Sequence, residues 1–143
     1  MDIIAGLQSK NNKEAYQLLM QLEIQATESD ALYQYFDDFV GLLNSKSSYV
    51  RTRGFRLACS QARWDIDDKI DKNLDILLCM LDDKKPITIR QCLDALHMVV
   101  IYKPDSVADK INAKLKSMDL SKYNDSMISL IEKDINDLRK SML

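Results

Sequence analysis

Residues 50–58, VRTRGFRLA, and residues 89–97, IRQCLDALH, carry the pattern on which the fold turns. A shift of 39 residues lays Val50-Arg51 on Ile89-Arg90 and Leu57 on Leu96. In the stretches just before them it lays Tyr35 on Leu74, Phe39 on Leu78 and Leu42 on Leu81. A repeat of this length implies a unit of two antiparallel helices that cannot hide its apolar sides alone and stacks on copies of itself.

Outward from this pair, apolar residues three and four apart mark the remaining helices. Ser48 is a good N-cap for the helix carrying Val50, Gly54, Leu57, Ala58 and Gln61, with Phe55, Cys59 and Ala62 beside them; two apolar flanks predict two neighbours. Before it, Ala15, Leu18, Leu19, Leu22 and Ala26 predict a helix from Asn12 to about Ala26. Thr27, Ser29 and Asp30 turn the chain into a second, with Leu32, Phe36, Phe39, Val40 and Leu43, that runs to about Asn44. After it, Ile70, Leu74, Leu77, Leu78 and Leu81 predict one helix from about Asp67 to Asp82. Pro86 suits the first turn of the next, whose stripe is Ile89, Cys92, Leu93, Leu96, Val99 and Val100. Pro104 and Asp105 break the chain before Val107, Ala108, Ile111, Leu115 and Met118. Asn124 or Asp125 opens a last helix with Met127, Ile128, Ile131, Ile135, Leu138 and Met142.

Composition agrees with this. The chain has 143 residues, 46% of them hydrophobic, which suits one domain with a substantial core. With only 3 Gly and 2 Pro it lacks the punctuation of an all-β fold. The acidic Asp2 follows Met1, and Gly6, Gln8 and Ser9 interrupt any apolar stretch, so no secretory signal is expected. The longest apolar run, Ile76 to Leu81, is far shorter than the roughly 20 residues of a membrane span. A soluble cytoplasmic protein is expected. Cys59, Cys79 and Cys92 have neither disulfide nor zinc spacing and are expected to be buried thiols.

Val50-Arg51 with Gly54, Leu57 and Ala58, and Ile89-Arg90 with Leu93 and Leu96, resemble the first-helix pattern of the HEAT-type (armadillo-like) helical-repeat family, over nearly the whole chain. Asp94 stands where that pattern has a small or apolar residue, and the first unit, with Glu14-Ala15 near the motif position, lacks the Val-Arg pair. The resemblance implies an all-α, right-handed α-solenoid of about three antiparallel hairpins, units 12–45, 48–83 and 86–119, plus an end helix over 124–142. It also implies that second helices (about 30–44, 67–82 and 105–118) line a concave surface. Small bacterial proteins look like this, some labelled for iron–sulfur assembly; the spacing of the three thiols supplies no such ligand set.

Charge cancels overall to a net −2 but is segregated. Residues 14–45 hold six acids and no Lys or Arg, while 46–63 hold Lys46, Arg51, Arg53, Arg56 and Arg63 and no acid. Arg53, Arg56 and Arg63, with Trp64 at the end, share a helical side that could grip a phosphate backbone or an acidic peptide. The alternative is internal pairing at the seams between units, with Arg51 or Arg90 reaching Asp37, Asp38 or Asp75. Tyr33, Tyr35, Tyr49, Trp64, Tyr102 and Tyr123 fall near helix ends or stripe edges, as rings at a core margin do.

Chemistry is harder to find. His97 reads as a packed histidine, since no Ser or Cys shares its helical side. Asp65, Asp67, Asp68 and Asp71 crowd one helix start without the Gly turn or terminal Glu of a calcium loop. With no Gly-rich phosphate loop, nucleophile elbow or H-E-x-x-H motif, no cofactor is expected.

The expectation is a non-catalytic module that presents a curved surface to a protein or peptide. Asp37, Asp38, Lys69, Lys72, Asp75, Asp109 and Lys110 are its candidate partner-binding residues, a mixed-charge set that suits a peptide better than a nucleic acid. The alternative is a nucleic-acid-binding or DNA-repair protein using Arg53, Arg56, Arg63 and Trp64. A third possibility is a small structural subunit that associates through an uncovered flank of its first or last helix.

Overall fold

Side-chain caps set several helix starts. Asp2 Oδ1 accepts the amides of Ile4 and Ala5 ahead of α1 (Ile3–Leu7), and Asn11 Oδ1 that of Glu14 ahead of α2 (Asn12–Glu28). A 3₁₀ turn (Tyr33–Tyr35) leads into α3 (Phe36–Gly41), which tightens to 3₁₀ again over Leu42–Asn44. Ser47, not Ser48, caps α4 (Ser48–Ser60), its hydroxyl accepting the Val50 amide. After a turn over Ala62–Trp64 come α5 (Lys69–Lys72), α6 (Leu74–Leu78) and a 3₁₀ turn over Cys79–Asp82. α7 (Pro86–Tyr102) opens on its proline, α8 (Asp105–Ser117) follows, and Asn124 caps α9 (Asp125–Ser141).

This computed structural model describes residues 2–103 and 105–143, so the break placed at Pro104 lies outside the described residues. Among the described residues no strand occurs, and the fold is all-α. The expected single helix over 67–82 is three pieces. Asp68 takes a left-handed backbone (φ 53°), and the Asn73 side chain donates to the carbonyl of Lys69 at 2.8 Å, between α5 and α6. The segment over 30–44 is likewise one short helix between 3₁₀ turns.

The long helices form a row in which α2 packs on α4, α4 on α7 and α7 on α9. α1 lies against α2 and α4, α3 against α4, and the Cys79–Asp82 turn and α8 against α7. One continuous core runs through them from Leu7 to Leu138. Cys59 and Cys92 are buried in it, as expected, but Cys79 is exposed, because it falls on the side of its turn opposite Leu77, Leu78 and Leu81.

α4 is the centre of this arrangement. Phe55, Leu57, Ala58 and Cys59 are all fully buried, and burying a side chain such as Phe55 contributes about 1.5–3 kcal/mol. Close approach of α3 depends on Gly54, where a Cβ would lie 2.5 Å from the Phe39 carbonyl oxygen and 2.7 Å from Leu42 Cβ. Gly54→Ala should therefore destabilise by about 2 kcal/mol through overpacking. Gly41→Ala, where a Cβ meets nothing within 4 Å, should stabilise by about 0.5 kcal/mol. Urea unfolding of the two variants checks the opposite signs.

Candidate functional site

The arginine stripe, with Arg53 and Arg56 on α4 but Arg63 and Trp64 on the 3₁₀ turn after it, spreads along a single seam. Arg53 Nη1 donates to the carbonyl of Leu7 at 2.6 Å and Nη2 to Asn12 Oδ1 at 2.7 Å. Arg56 grips Glu23 through two hydrogen bonds of 3.0 and 2.7 Å and also donates to Gln91 Oε1. Arg63 donates to the carbonyl of Thr27, its guanidinium 4.9 Å from the centre of the Trp64 ring, and Trp64 Nε1 donates to the carbonyl of Ala26. Each of the four thus meets an oxygen of α2 or, for Arg53, of α1 as well. Arg63 and Trp64 satisfy carbonyls of the last turn of α2, where donors and positive charge are favourable.

Arg51 and Arg90 also pair internally, with partners other than those expected. Arg51 forms a bidentate pair with Asp83 and Arg90 one with Asp134, rather than either reaching Asp37, Asp38 or Asp75. Both acids lie where the chain passes the helix start in question, a placement that depends on long-range packing. His97 Nδ1 lies 2.8 Å from Ser141 Oγ, so a serine from α9 does reach the ring. Among the described residues no carboxylate bonds its other nitrogen, and neither residue lines the cleft described below.

The mixed-charge set falls on α3, α5, α6 and α8. Lys69 pairs with Asp37 at 3.2 Å, with its ammonium 5.6 Å from the centre of the Tyr33 ring, and Lys110 stands 3.8 Å from Asp75. Lys114 pairs with Asp82 beside them. Asp38, Lys72 and Asp109 are exposed and make no ion pair among the described residues. Exposed pairs of this kind contribute about 0–1 kcal/mol each.

The acidic crowd at the start of α5 is a hub. Asp65 is buried and accepts from Tyr33 Oη at 2.7 Å, the amides of Lys69 and Ile70 at 2.8 and 2.9 Å, and Lys103 Nζ at 3.0 Å. Lys103 also meets Asp68 and Asp71, each at 2.9 Å. Carboxylate oxygens of these three aspartates lie within 4.8 Å of one another, a spacing that would suit a cation, and the ammonium of Lys103 fills that role. Burial alone would push Asp65 up, but the bonds from Tyr33, Ile70, Lys103 and Lys69 outweigh it and hold the carboxyl below its ordinary value. Burial alone would lower Lys103; its bonds to Asp71, Asp68 and Asp65 raise it instead. Burial, then the bond to Asp65, push the Tyr33 phenol up to about 12.

A cleft of about 440 Å³ opens across the N-terminal ends of α2, α4 and α7 and reaches Met127 of α9. Its floor holds Thr52, Arg53 and Thr88, all buried, and its rim holds Tyr16, Tyr49 and Ile87, 52%, 61% and 63% exposed. From Tyr16 an exposed apolar stripe continues along α2 through Met20 and Ile24. Sequence reasoning missed this site except for Arg53 and Tyr49. The signal was present: Tyr16, Met20 and Ile24 are four apart, on the side of α2 away from Ala15, Leu19, Leu22 and Ala26.

Asp65→Ala should cost about 3 kcal/mol at pH 7, because it leaves the Tyr33 hydroxyl and two backbone amides without their acceptor and takes one of three carboxylates from Lys103. With the folded value depressed, the carboxylate's contribution is complete above its unfolded pKa, near 3.9, and is lost as pH falls through the lower folded value. Urea unfolding should show the gap between wild type and variant closing only below about pH 4.

Compared with protein-family models, curated proteins and solved structures, the chain matches none, so its own residues carry the functional argument.

Proposed function

We propose that the chain is a non-catalytic interaction module, a HEAT-like right-handed α-solenoid in the cytoplasm, which holds a protein or peptide segment in the cleft across the starts of α2, α4 and α7. The observation that carries this reading is the exposed apolar rim. Tyr16, Tyr49 and Ile87 converge on one opening from three successive long helices, and Met20 and Ile24 extend it. Exposed apolar patches rimmed by polar residues mark sites of association, and tyrosines anchor them well because they bury much area with few rotatable bonds. The consecutive packing of α2, α4, α7 and α9 supports the repeat reading, with units 12–45, 48–83 and 86–119 and an end helix over 124–142.

The cleft suits a ligand better than the mixed-charge face does. Asp37 with Lys69 and Asp75 with Lys110 partly neutralise each other there. A nucleic-acid reading loses support because Arg56, Arg63 and Trp64 are engaged with α2. Among the described residues, no helix is long and apolar enough to cross a membrane.

Panning a random peptide library against the wild type should enrich a consensus. Tyr16→Asp with Tyr49→Asp, two exposed changes that should leave thermal unfolding within a few degrees, should abolish that enrichment. No enrichment by the wild type, or the same consensus from the variant, would remove the cleft as the binding site.

A further inference from the structure

The electrostatics of the cleft are one-sided. Among the described residues, Arg53 and Lys85 line it and no acid does, although acids outnumber bases in the chain. Arg53 is only 4% exposed, yet its two partners, the Leu7 carbonyl and the Asn12 side chain, are neutral. Arg51, Arg56 and Arg90 each hold a carboxylate; Arg53 does not. A guanidinium has five N–H donors, and these contacts use two of them.

The adjoining start of α7 is short of acceptors too. Lys85 gives it no side-chain cap, Pro86 has no N–H, and the amides of Ile87 and Thr88 meet no acceptor among the described residues. α2 and α4, by contrast, are capped by Asn11 and Ser47. Unpaired first-turn amides on a long helix favour an anion. A buried cation without an anion and an uncapped helix start thus border the same cavity, beneath an apolar rim.

We propose that the cleft takes an extended peptide segment through an acidic side chain, with a Glu or Asp carboxylate set between Arg53 and the start of α7 and its apolar neighbours on Tyr16, Tyr49 and Ile87. This rests on the cleft being a peptide site. Packed helices lie about 9 Å apart, so the path from α2 over α4 to α7 is about 18 Å, or about six extended residues. Arginine binds a carboxylate through two parallel hydrogen bonds, and such charge-assisted bonds are the strong ones. One buried cation within an apolar rim suits one carboxylate; a phosphodiester chain calls for a row of exposed cations.

Three fluorescein-labelled hexapeptide mixtures test this by fluorescence polarisation. Each has a fixed residue at one central position, Glu, Gln or Lys, among randomised Leu, Ile, Val and Phe; a labelled single-stranded oligonucleotide is the fourth probe. Wild type should bind the Glu mixture about tenfold more tightly than the Gln mixture. Arg53→Gln should erase that preference. Lys85→Glu, at an exposed position that leaves the floor intact, should reduce it if Arg53→Gln does not fold. Equal binding of Glu and Gln mixtures overturns the acidic requirement and leaves the peptide reading standing. No binding of any mixture overturns both. Tighter binding of the oligonucleotide than of the Glu mixture overturns the choice of ligand class.

Discussion

Burial of most of α4 is the constraint to which the rest of the chain conforms. Thr52 to Phe55 and Leu57 to Ser60 are buried without interruption, and successive residues of a helix point 100° apart, so little of its circumference faces water. Such a helix needs neighbours on most of its sides, and α2, α3 and α7 supply them. Gly54 lets the backbone of α3 come close. Polar side chains carried inside must then be satisfied locally. Thr52 donates to the carbonyl of Ser48, Ser60 to that of Leu57, and Gln61 Nε2 to Ser60 Oγ. Among the described residues no hydrogen-bond donor reaches Gln61 Oε1.

The charge segregation of the sequence follows from the same geometry. Cations from the start of the second unit stand beside the acids of the first because their helices lie side by side. Arg56 meets Glu23 across α2 and α4, and Lys69 meets Asp37 across the shorter segments. These contacts differ in weight. The exposed pairs contribute little, whereas the buried hub of Asp65 and Lys103 fixes the turn after α4 to the end of α7 and, through Tyr33, to the first unit. Asp65, bonded to both Tyr33 and Lys103, therefore acts as a clasp among three segments far apart in sequence.

The long helices were legible because each has three or more turns in which the 3.6-residue period repeats, as in Leu19, Leu22 and Ala26 or Ile131, Ile135 and Leu138. The short ones were not. Asp68 and Asn73 divide the 67–82 segment through backbone and side-chain choices made within a turn, while the apolar spacing of Ile70, Leu74 and Leu77 runs on unbroken across the division. Partners at the seams were equally hidden: spacing puts Arg51 and Arg90 at helix starts but says nothing of Asp83 or Asp134, which the packing of later segments delivers. Within the candidate site, spacing puts Arg53 on one helical side with Arg56 and Arg63 but does not say which of them is buried or what each one meets. Arg56 meets a carboxylate of α2, whereas Arg53 is buried on two neutral partners.

The contrast between Lys103 and Arg53 bears on what the cleft is for. Both cations are nearly inaccessible, and burying either charge costs several kcal/mol unless it is compensated. Around Lys103 the chain places three carboxylates. Around Arg53 it places a backbone carbonyl and an amide oxygen, although acids are no scarcer in this sequence than bases. A purely structural guanidinium could have been neutralised by an aspartate at position 12, where an asparagine now accepts its hydrogen bond at nearly the same place in the helix. Asn12 preserves the geometry of the bond and leaves the charge unspent. Its field therefore extends into the cavity, where the unpaired amides at the start of α7 add to it. A positive, partly apolar opening of this kind gains most from an occupant that brings both the missing charge and the missing apolar cover.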